Sequence, residues 1–564
     1  MNLYSVGLST TGHDPAFAIV SPDGEVIFAE ATERFLQSKR AWGAQPDQLN
    51  HVKPVLDDIT RNNPNAEFQI SLSWSGAKGD IPVAKESPFI ASDMLEWMVE
   101  LQASLQQISG ANLRFAGGKQ VRPEVFKFDH HLCHAANAAY SSSFSEASCL
   151  VLDGEGEVGA ATLYHWEKGF LKRKWRSWGP GSLGSFYTWA TEICGFTPQY
   201  GEEWKVMGLA AYGEVNLEWA AKLRTLFRVE SGRILWNEIS QIEKVVDFFS
   251  AIKQSNSAKH MEMADFAATA QHVYCDYATA VLNDIYVQEN QSNLILSGGC
   301  ALNSSFNGQI TSSTSFQNIH VPSAPADDGN AIGAALLGWQ KAYQNTFGAP
   351  KPILYGKTTP FLGSKPDVKN TDSYLQALGY NVECCSSESA VRVAALLAKG
   401  KIIGVMRGRA EFGPRALGNR SILADPRCPE MKSKINKIVK GREGYRPFAP
   451  VILEKHLDEW FESPQCSPYM SFALKWKQHA EEKVPAVIHN DFTGRLQTIN
   501  QQDNSWFSAL VEEFHSLTGV PVVLNTSFNV MGKPIVHSVS DAILVLISSG
   551  LDAVLIEDKL ILKR

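Results

Sequence analysis

Apolar positions in the first thirty residues fall into three short blocks. Leu3–Ser9 is largely apolar, Thr10–Asp14 is polar, and Ala16–Val20 is apolar again, with Asp23-Gly24 separating it from Val26–Ala29. Blocks of this length bounded by turn residues predict strand, loop, strand, hairpin turn and strand. Further along, Cys149–Leu152 and Leu294–Leu296 read as strands that run straight into acidic or glycine-rich turns, and Ala331–Ala342 reads as a helix. Strands alternating with helices predict an α/β core. From Glu214 to His260 the periodicity weakens, as expected of an insertion or a helical excursion. It breaks again at Gly348–Gly363, where Pro350, Pro352 and Pro360 stand among glycines. That break predicts two domains, 1–355 and 365–564. The second should be α/β or α+β, with strands at Lys401–Met406, Pro450–Leu453 and Val520–Leu524, closing with Ala553–Leu562. No repeat of solenoid period and no low-complexity tract interrupts this pattern.

Composition narrows the class. A chain of 564 residues is too long for one hydrophobic core, and 44% hydrophobic with 20% charged residues is ordinary for a soluble globular protein. No apolar run reaches the roughly 18 residues of a membrane helix. Met1 to Pro15 lacks the basic and apolar regions of a secretion signal, so the mature chain is expected to start near Met1. Nine cysteines, odd in number and without a CxxC pair, fit a reducing cytoplasm better than a disulfide framework. A formal charge of −7 argues against a dedicated nucleic-acid surface. Neither a nucleic-acid nor a membrane partner is expected.

Three motifs of the N-terminal part carry candidate chemistry. Phe126-Lys127-Phe128 closes a strand, and Asp129-His130-His131-Leu132-Cys133-His134 follows. On a helix His130 and His134 share a face, and two neutral imidazoles so placed can chelate a transition metal that a carboxylate completes. Histidines that merely cap a helix start are the plainer alternative. A zinc peptidase is excluded, because HExxH needs a glutamate that is missing here. Second, Asp153-Gly154-Glu155-Gly156-Glu157 directly follows Cys149–Leu152; it suits a metal–phosphate site or an ordinary hairpin turn. Third, Ser297-Gly298-Gly299 follows a strand and leads to Asn303, and Asp327-Asp328-Gly329 opens a helix. With no GxxxxGK[ST] loop, a nucleotide would be held by glycine turns of another kind.

The C-terminal part has a denser signature. From Gly408 to Arg427 the chain sets Arg409, Arg415, Arg420 and Arg427 among glycine, proline and alanine; Arg446-Pro447-Phe448 and Arg495 add two more guanidinium groups. Leu524-Asn525-Thr526-Ser527 follows a strand and offers polar groups to a planar carbonyl. Planar, permanently charged guanidinium groups suit phosphate and carboxylate ligands, while a surface salt-bridge network is the alternative.

In this order the motifs of the N-terminal part resemble the actin/hsp70/sugar-kinase nucleotide fold, and more closely its branch containing the universal tRNA threonylcarbamoyl-transfer protein. That resemblance implies iron held by His130, His134 and Asp328, with Asp153 at or beside the metal. It implies a nucleoside held by Gly298, Gly299 and Asn303, with Gly154 nearby, and Lys205 of Gly201–Leu209 close to the nucleotide. Glu411-Phe412-Gly413-Pro414-Arg415 through Arg427 makes the second domain similar to the YrdC-like module of the NodU/CmcH-type ATP-dependent O-carbamoyltransferases, a resemblance that spans essentially the whole chain. It implies that carbamoyl phosphate and ATP form carbamoyl adenylate in the C-terminal domain, Mg2+ being able to accompany the ATP. Arg415, Arg446, Arg495, Asn525 and Ser527 match the positions for those ligands. The N-terminal domain would then pass the carbamoyl group to an alcohol of a small natural product, such as an antibiotic or toxin.

His13, in Gly12-His13-Asp14, matches the family's loop histidine and would take the proton of the acceptor; Asp14 beside it could orient the ring. Lys39 matches a lysine near the adenylate. Thr10, Thr11 and Gly12 stand where relatives recognise acceptors. A cationic acceptor and a homodimer are both compatible with the sequence. A tRNA-modifying enzyme would show more basic surface, a hydrogenase-maturation carbamoyltransferase would carry CxxC repeats, and an hsp70-like binding protein has no need of HxxxH or the arginines.

Overall fold

The computed structural model describes residues 2–76, 89, 92–177, 181–255, 260–356, 358–369, 371, 375 and 379–563. Its first unit comprises 1–36, 40–303 and 309–358; its second comprises 37–39, 304–308 and 359–564.

The first unit is built on two five-stranded sheets. One contains β1 (Leu3–Ser9), β2 (Ala16–Val20), β3 (Val26–Ala31), β4 (Glu67–Leu72) and β5 (Val121–Lys127), in the order β3-β2-β1-β4-β5. β1 to β3 form an antiparallel meander, while β4 and β5 run parallel to β1. All five residues of β2 are buried, which is why Ala-Phe-Ala-Ile-Val reads as an unbroken apolar run rather than an alternating one.

The second sheet contains β6 (Glu146–Leu152), β7 (Ala161–Glu167) and β8 (Phe170–Arg176). After a separate hairpin of β9 (Phe227–Glu230) and β10 (Arg233–Trp236), β11 (Asn293–Ser297) and β12 (Asn318–His320) complete it. Its order, β12-β11-β6-β7-β8, repeats the first, with the same meander and the same two parallel additions. This doubled topology is the actin/hsp70-like arrangement, and it is a repeat of fold that no residue period betrays.

The stretch 214–260 contains the helix Leu217–Leu223, the β9–β10 hairpin and the helix Ile239–Ser255. Two further helices position the site. His130–Ser141 leaves β5 by way of Asp129, whose carboxylate accepts the Leu132 N–H at 2.9 Å and so caps the helix. Asn330–Phe347 packs against it with no room at Gly333, where an added Cβ would lie 1.9 Å from the Cys133 carbonyl oxygen.

The second unit carries a nine-stranded mixed sheet. Its strands are β13 (Val382–Cys384), β14 (Ile403–Met406), β15 (Arg420–Ala424), β16 (Ala449–Leu453), β17 (Phe472–Lys475), β18 (Thr493–Ile499), β19 (Val522–Ser527), β20 (Ala553–Ile556) and β21 (Lys559–Leu562). They lie in the order β13-β21-β20-β14-β15-β19-β16-β18-β17. The apolar closing segment Ala553–Leu562 is a hairpin, because Glu557 (φ 49°) and Asp558 turn the chain between β20 and β21. β19 starts at Val522, later than its apolar run, since Gly519 ends the helix Ser505–Thr518 and Pro521 comes next.

Candidate active site

At the ends of β6 and β11 the first unit gathers His130, His134, Asp153 and Asp327, all buried, with one donor atom from each within 4.8 Å of the others. His130 and His134 stand one helical turn apart and bring their Nε2 atoms to 3.2 Å. Asp153 Oδ2 lies 3.2 Å from His130 Nε2 and 3.3 Å from His134 Nε2; Asp327 Oδ1 lies 3.6 and 3.4 Å from the same atoms. Because Asp129 caps the helix, the two histidines are free to face inward. Asp153 is aimed by its own turn: the Gly154 and Gly299 N–H groups donate to Oδ1 at 2.8 and 3.1 Å, leaving Oδ2 for the imidazoles. Gly298 turns the chain after β11 beside it (φ 89°), and a Cβ there would lie 2.2 Å from the Leu152 carbonyl oxygen.

Two imidazole nitrogens at 3.2 Å, faced by two carboxylates, call for a cation between them. Burial, which alone would lower the His134 pKa, is outweighed by Asp153 and Asp327, and it rises to about 9. Burial pushes Asp153 up as well, yet the two histidines hold it well below the usual carboxylate range. The donor set fits a transition metal. Bonds of about 2.0–2.1 Å in a tetrahedron put donors about 3.3–3.4 Å apart, close to the spacings here. A supporting shell is present too: Asn330 Nδ2 lies 3.2 Å from His130 Nδ1, and the flipped amide would accept the Nδ1–H and leave Nε2 for a metal.

The aspartate that the structure brings to the two histidines is Asp327, where the family resemblance had implied Asp328. Both open the helix after the Ala326 turn, but adjacent side chains of a tight helical turn point apart. Asp328 turns from the histidines. Its carboxylate accepts its neighbour Gly329's N–H at 3.0 Å, and burial together with the Asp14 and Glu33 carboxylates raises it to about 7. Asp327→Asn should therefore lose most of the bound metal, while Asp328→Asn keeps it. Elemental analysis of the two purified variants reads the difference; equal retention would return the ligand role to Asp328.

His13 joins this site. Its Nδ1 lies 3.6 Å from Asp327 Oδ2, and its ring meets Trp42 edge-on at 4.9 Å. Asn303 exchanges two 3.1 Å hydrogen bonds with Gln271, and Lys205 pairs with Glu202 while lying 5.2 Å from the Phe196 ring. Lys39 belongs to the second unit, where its charge bears on Lys440.

In the second unit the arginine-rich stretch divides by role. Arg420 is fully buried and donates to the carbonyl oxygens of Arg407, Asn419, Ser364 and Gly408. Arg409 binds the carbonyls of Gly363 and Leu362, and Arg427 pairs with Asp425. Glu411 ties the loop by accepting the N–H groups of Leu417, Asn419 and Arg420. These are framework. Arg415 has another environment: burial lowers its pKa far below the guanidinium range, and the Arg495 charge adds to this.

Around Arg415 and Arg495 the cations press on one another. Burial, then Arg446 and Arg495, lower Arg442 to about 9; burial, then Arg442, Lys39 and Arg446, depress Lys440. Lys440 Nζ also donates to Asn529 Oδ1 at 2.7 Å and to Ser527 Oγ at 3.2 Å, so Ser527 sits at the cluster. Arg446 is paired with Glu443 at 2.7 Å. Asn525 donates to Gln497 and to the Ala416 carbonyl, and its buried Oδ1 has no hydrogen-bond partner among the described residues. Sequence reasoning missed Asp327, Lys440 and Arg442. For Lys440 and Arg442 the signal was Lys440-Gly441-Arg442, where a π-helix (Ile435–Lys440) ends on a left-handed glycine (φ 62°).

Comparison with known proteins follows this division. Residues 4–336 match the family described as "Carbamoyltransferase N-terminus", and residues 394–563 match "Carbamoyltransferase C-terminus". The nodulation protein NolNO of Sinorhizobium fredii is 33% identical over 99% of this chain and 80% of its own. Nodulation protein U of the same organism is 29% identical over 92% and 93%. The uncharacterized protein sll1178 of Synechocystis is 32% identical over 99% and 96%. With both domain models matched in order and a relative above 30% identity along nearly the whole chain, this protein belongs to the carbamoyltransferase family, as an enzyme that transfers carbamoyl groups.

Proposed function

We propose that this carbamoyltransferase uses carbamoyl phosphate and ATP to make carbamoyl adenylate and transfers the carbamoyl group to a hydroxyl of a small molecule. The observation that carries the reading is the cluster of buried cations Arg415, Lys440, Arg442 and Arg495, all pushed below their ordinary range by burial first and, for Arg415, Lys440 and Arg442, by neighbouring cations as well. Phosphate and polyphosphate groups are the anions such a site suits. The atoms balance with one water: carbamoyl phosphate gives carbamate and phosphate. A carbamate oxygen then bonds to the α-phosphorus of ATP as the bond to pyrophosphate breaks. The guanidinium groups offset the charge that accumulates.

The first unit supports the transfer. His130, His134, Asp153 and Asp327 would hold the metal, iron by family resemblance, which supplies Lewis-acid polarisation when bound. Gly154, with nothing within 4 Å of where a Cβ would stand among the described residues, leaves backbone space for a nucleotide phosphate. His13 takes the hydroxyl proton at Nε2 as the acceptor oxygen bonds to the carbamoyl carbon and AMP leaves. Supplying carbon-labelled carbamoyl phosphate and ATP with a panel of hydroxylated natural products tests the reading. Label should appear as a carbamate ester on oxygen, and label confined to amines or to tRNA would contradict it.

His13→Asn should cut transfer by about 10²–10⁴-fold, the usual worth of a general base, with adenylate formation and metal content unchanged. Near-native transfer in that variant would remove His13 from the role.

A further inference from the structure

The loop carrying His13 is clamped by an element that the sequence did not single out. Asp14 (φ 51°), Arg40 (φ 56°) and Ala41 (φ 41°) all adopt left-handed backbone, costly for side-chain-bearing residues and kept where surrounding structure enforces it. The enforcing contacts are visible. The Asp14 N–H donates to the Arg40 carbonyl at 2.8 Å, and the Gly43 N–H donates to the Gly12 carbonyl at 2.9 Å. On the far side the Arg40 N–H donates to Glu33 at 2.9 Å, Arg40 Nη1 to the Pro198 carbonyl at 3.2 Å, and Trp42 Nε1 to the Gln199 carbonyl at 2.7 Å.

The side chains converge on one atom. Arg40 donates to Asp14 Oδ2 through Nε at 3.0 Å and Nη2 at 2.9 Å. The same Oδ2 lies 3.0 Å from His13 Nδ1, with Asp327 Oδ2 farther off at 3.6 Å; Arg40 Nη2 lies 2.9 Å from that nitrogen but can only donate, so with Nδ1 protonated its hydrogens are directed to Oδ2. All three side chains are mostly buried, with relative exposures of 20, 24 and 19%. We infer that Arg40 and Asp14 are a positioning pair for His13: Arg40 fixes the Asp14 carboxylate so that Oδ2 accepts the Nδ1–H, which leaves Nε2 with the lone pair.

An acceptor-only carboxylate is required for this, and Asp14 is one. Burial would raise its pKa, but Arg40 and His13 hold it well below the ordinary carboxylate range. The planar spread of a guanidinium also matters, since Nε and Nη2 together hold Oδ2 while Nη1 reaches the Pro198 carbonyl, a fixed geometry that a compact ammonium lacks. This inference rests on His13 as the base proposed above, yet its structural half can be read without turnover.

The test is the ring-nitrogen spectrum of ¹⁵N-histidine-labelled full-length protein, loaded with diamagnetic zinc, with His13 assigned by its loss in His13→Asn. The native protein should show protonated Nδ1 and lone-pair Nε2. Asp14→Asn keeps the shape but can turn an N–H toward Nδ1, and should invert the tautomer. The same variant should lower the acceptor-transfer kcat by about 10²–10⁴-fold with acceptor KM and adenylate formation unchanged. Arg40→Ala should yield mixed tautomers and a lowered kcat that added guanidinium, but not methylammonium, partly restores. A native Nε2–H tautomer, or one unchanged by Asp14→Asn, would overturn the inference. Correct tautomers with full activity in every variant would leave the positioning intact and refute His13 as the base instead.

Discussion

His130→Ala is expected to lose its bound metal and, with it, carbamoyl transfer by more than about 10³-fold, while still releasing pyrophosphate from ATP in the presence of carbamoyl phosphate. The size follows from what the cluster does. Removing one imidazole leaves Asp153 and Asp327 facing one nitrogen, too few neutral donors for tight binding of a transition metal. Loss of Lewis-acid polarisation removes several kcal/mol of transition-state stabilisation, and each ~1.4 kcal/mol is a factor of ten. The cation cluster lies in the other unit and contains none of these ligands, so activation should persist. His134 is fully buried, and His134→Gln serves beside it as a variant that retains side-chain volume. Metal content, pyrophosphate release and transfer would be measured on the same preparations. Metal-free variants that transfer normally would remove the cluster from the chemistry.

Arg415→Ala and Arg495→Ala are expected to have the opposite profile. Pyrophosphate release that depends on carbamoyl phosphate should fall by about 10²–10³-fold, the range seen when one preorganised donor to a developing charge is removed. Synthetic carbamoyl adenylate should restore acceptor carbamoylation, because the metal site is untouched. Arg420→Ala, from the same stretch, should instead fail to fold: its four carbonyl bonds are framework, and losing them leaves buried acceptors unsatisfied. If supplied adenylate does not rescue Arg415→Ala, activation and transfer are not divided between the two sites.

The sequence made some of this legible and hid the rest for identifiable reasons. β1, β2 and β6 were readable because each is a short apolar block bounded by polar turns. The HxxxH pair was readable because helical spacing alone brings i and i+4 together. Choosing Asp327 over Asp328 was beyond it, since a 3-10 turn decides which of two adjacent carboxylates faces the histidines. Density of arginine marked the right stretch, yet Arg420 and Arg415 differ only in what surrounds them once folded. Arg40 gave no signal, because its tie to Asp14 spans 26 residues and depends on left-handed backbone at non-glycine positions.

The most direct measurement incubates the purified full-length protein with ATP and carbamoyl phosphate, without acceptor, and follows the products by phosphorus NMR and mass spectrometry. Pyrophosphate and phosphate are expected in equal amounts together with carbamoyl adenylate, and no pyrophosphate when carbamoyl phosphate is withheld. ADP as the nucleotide product, or pyrophosphate release indifferent to carbamoyl phosphate, would contradict it.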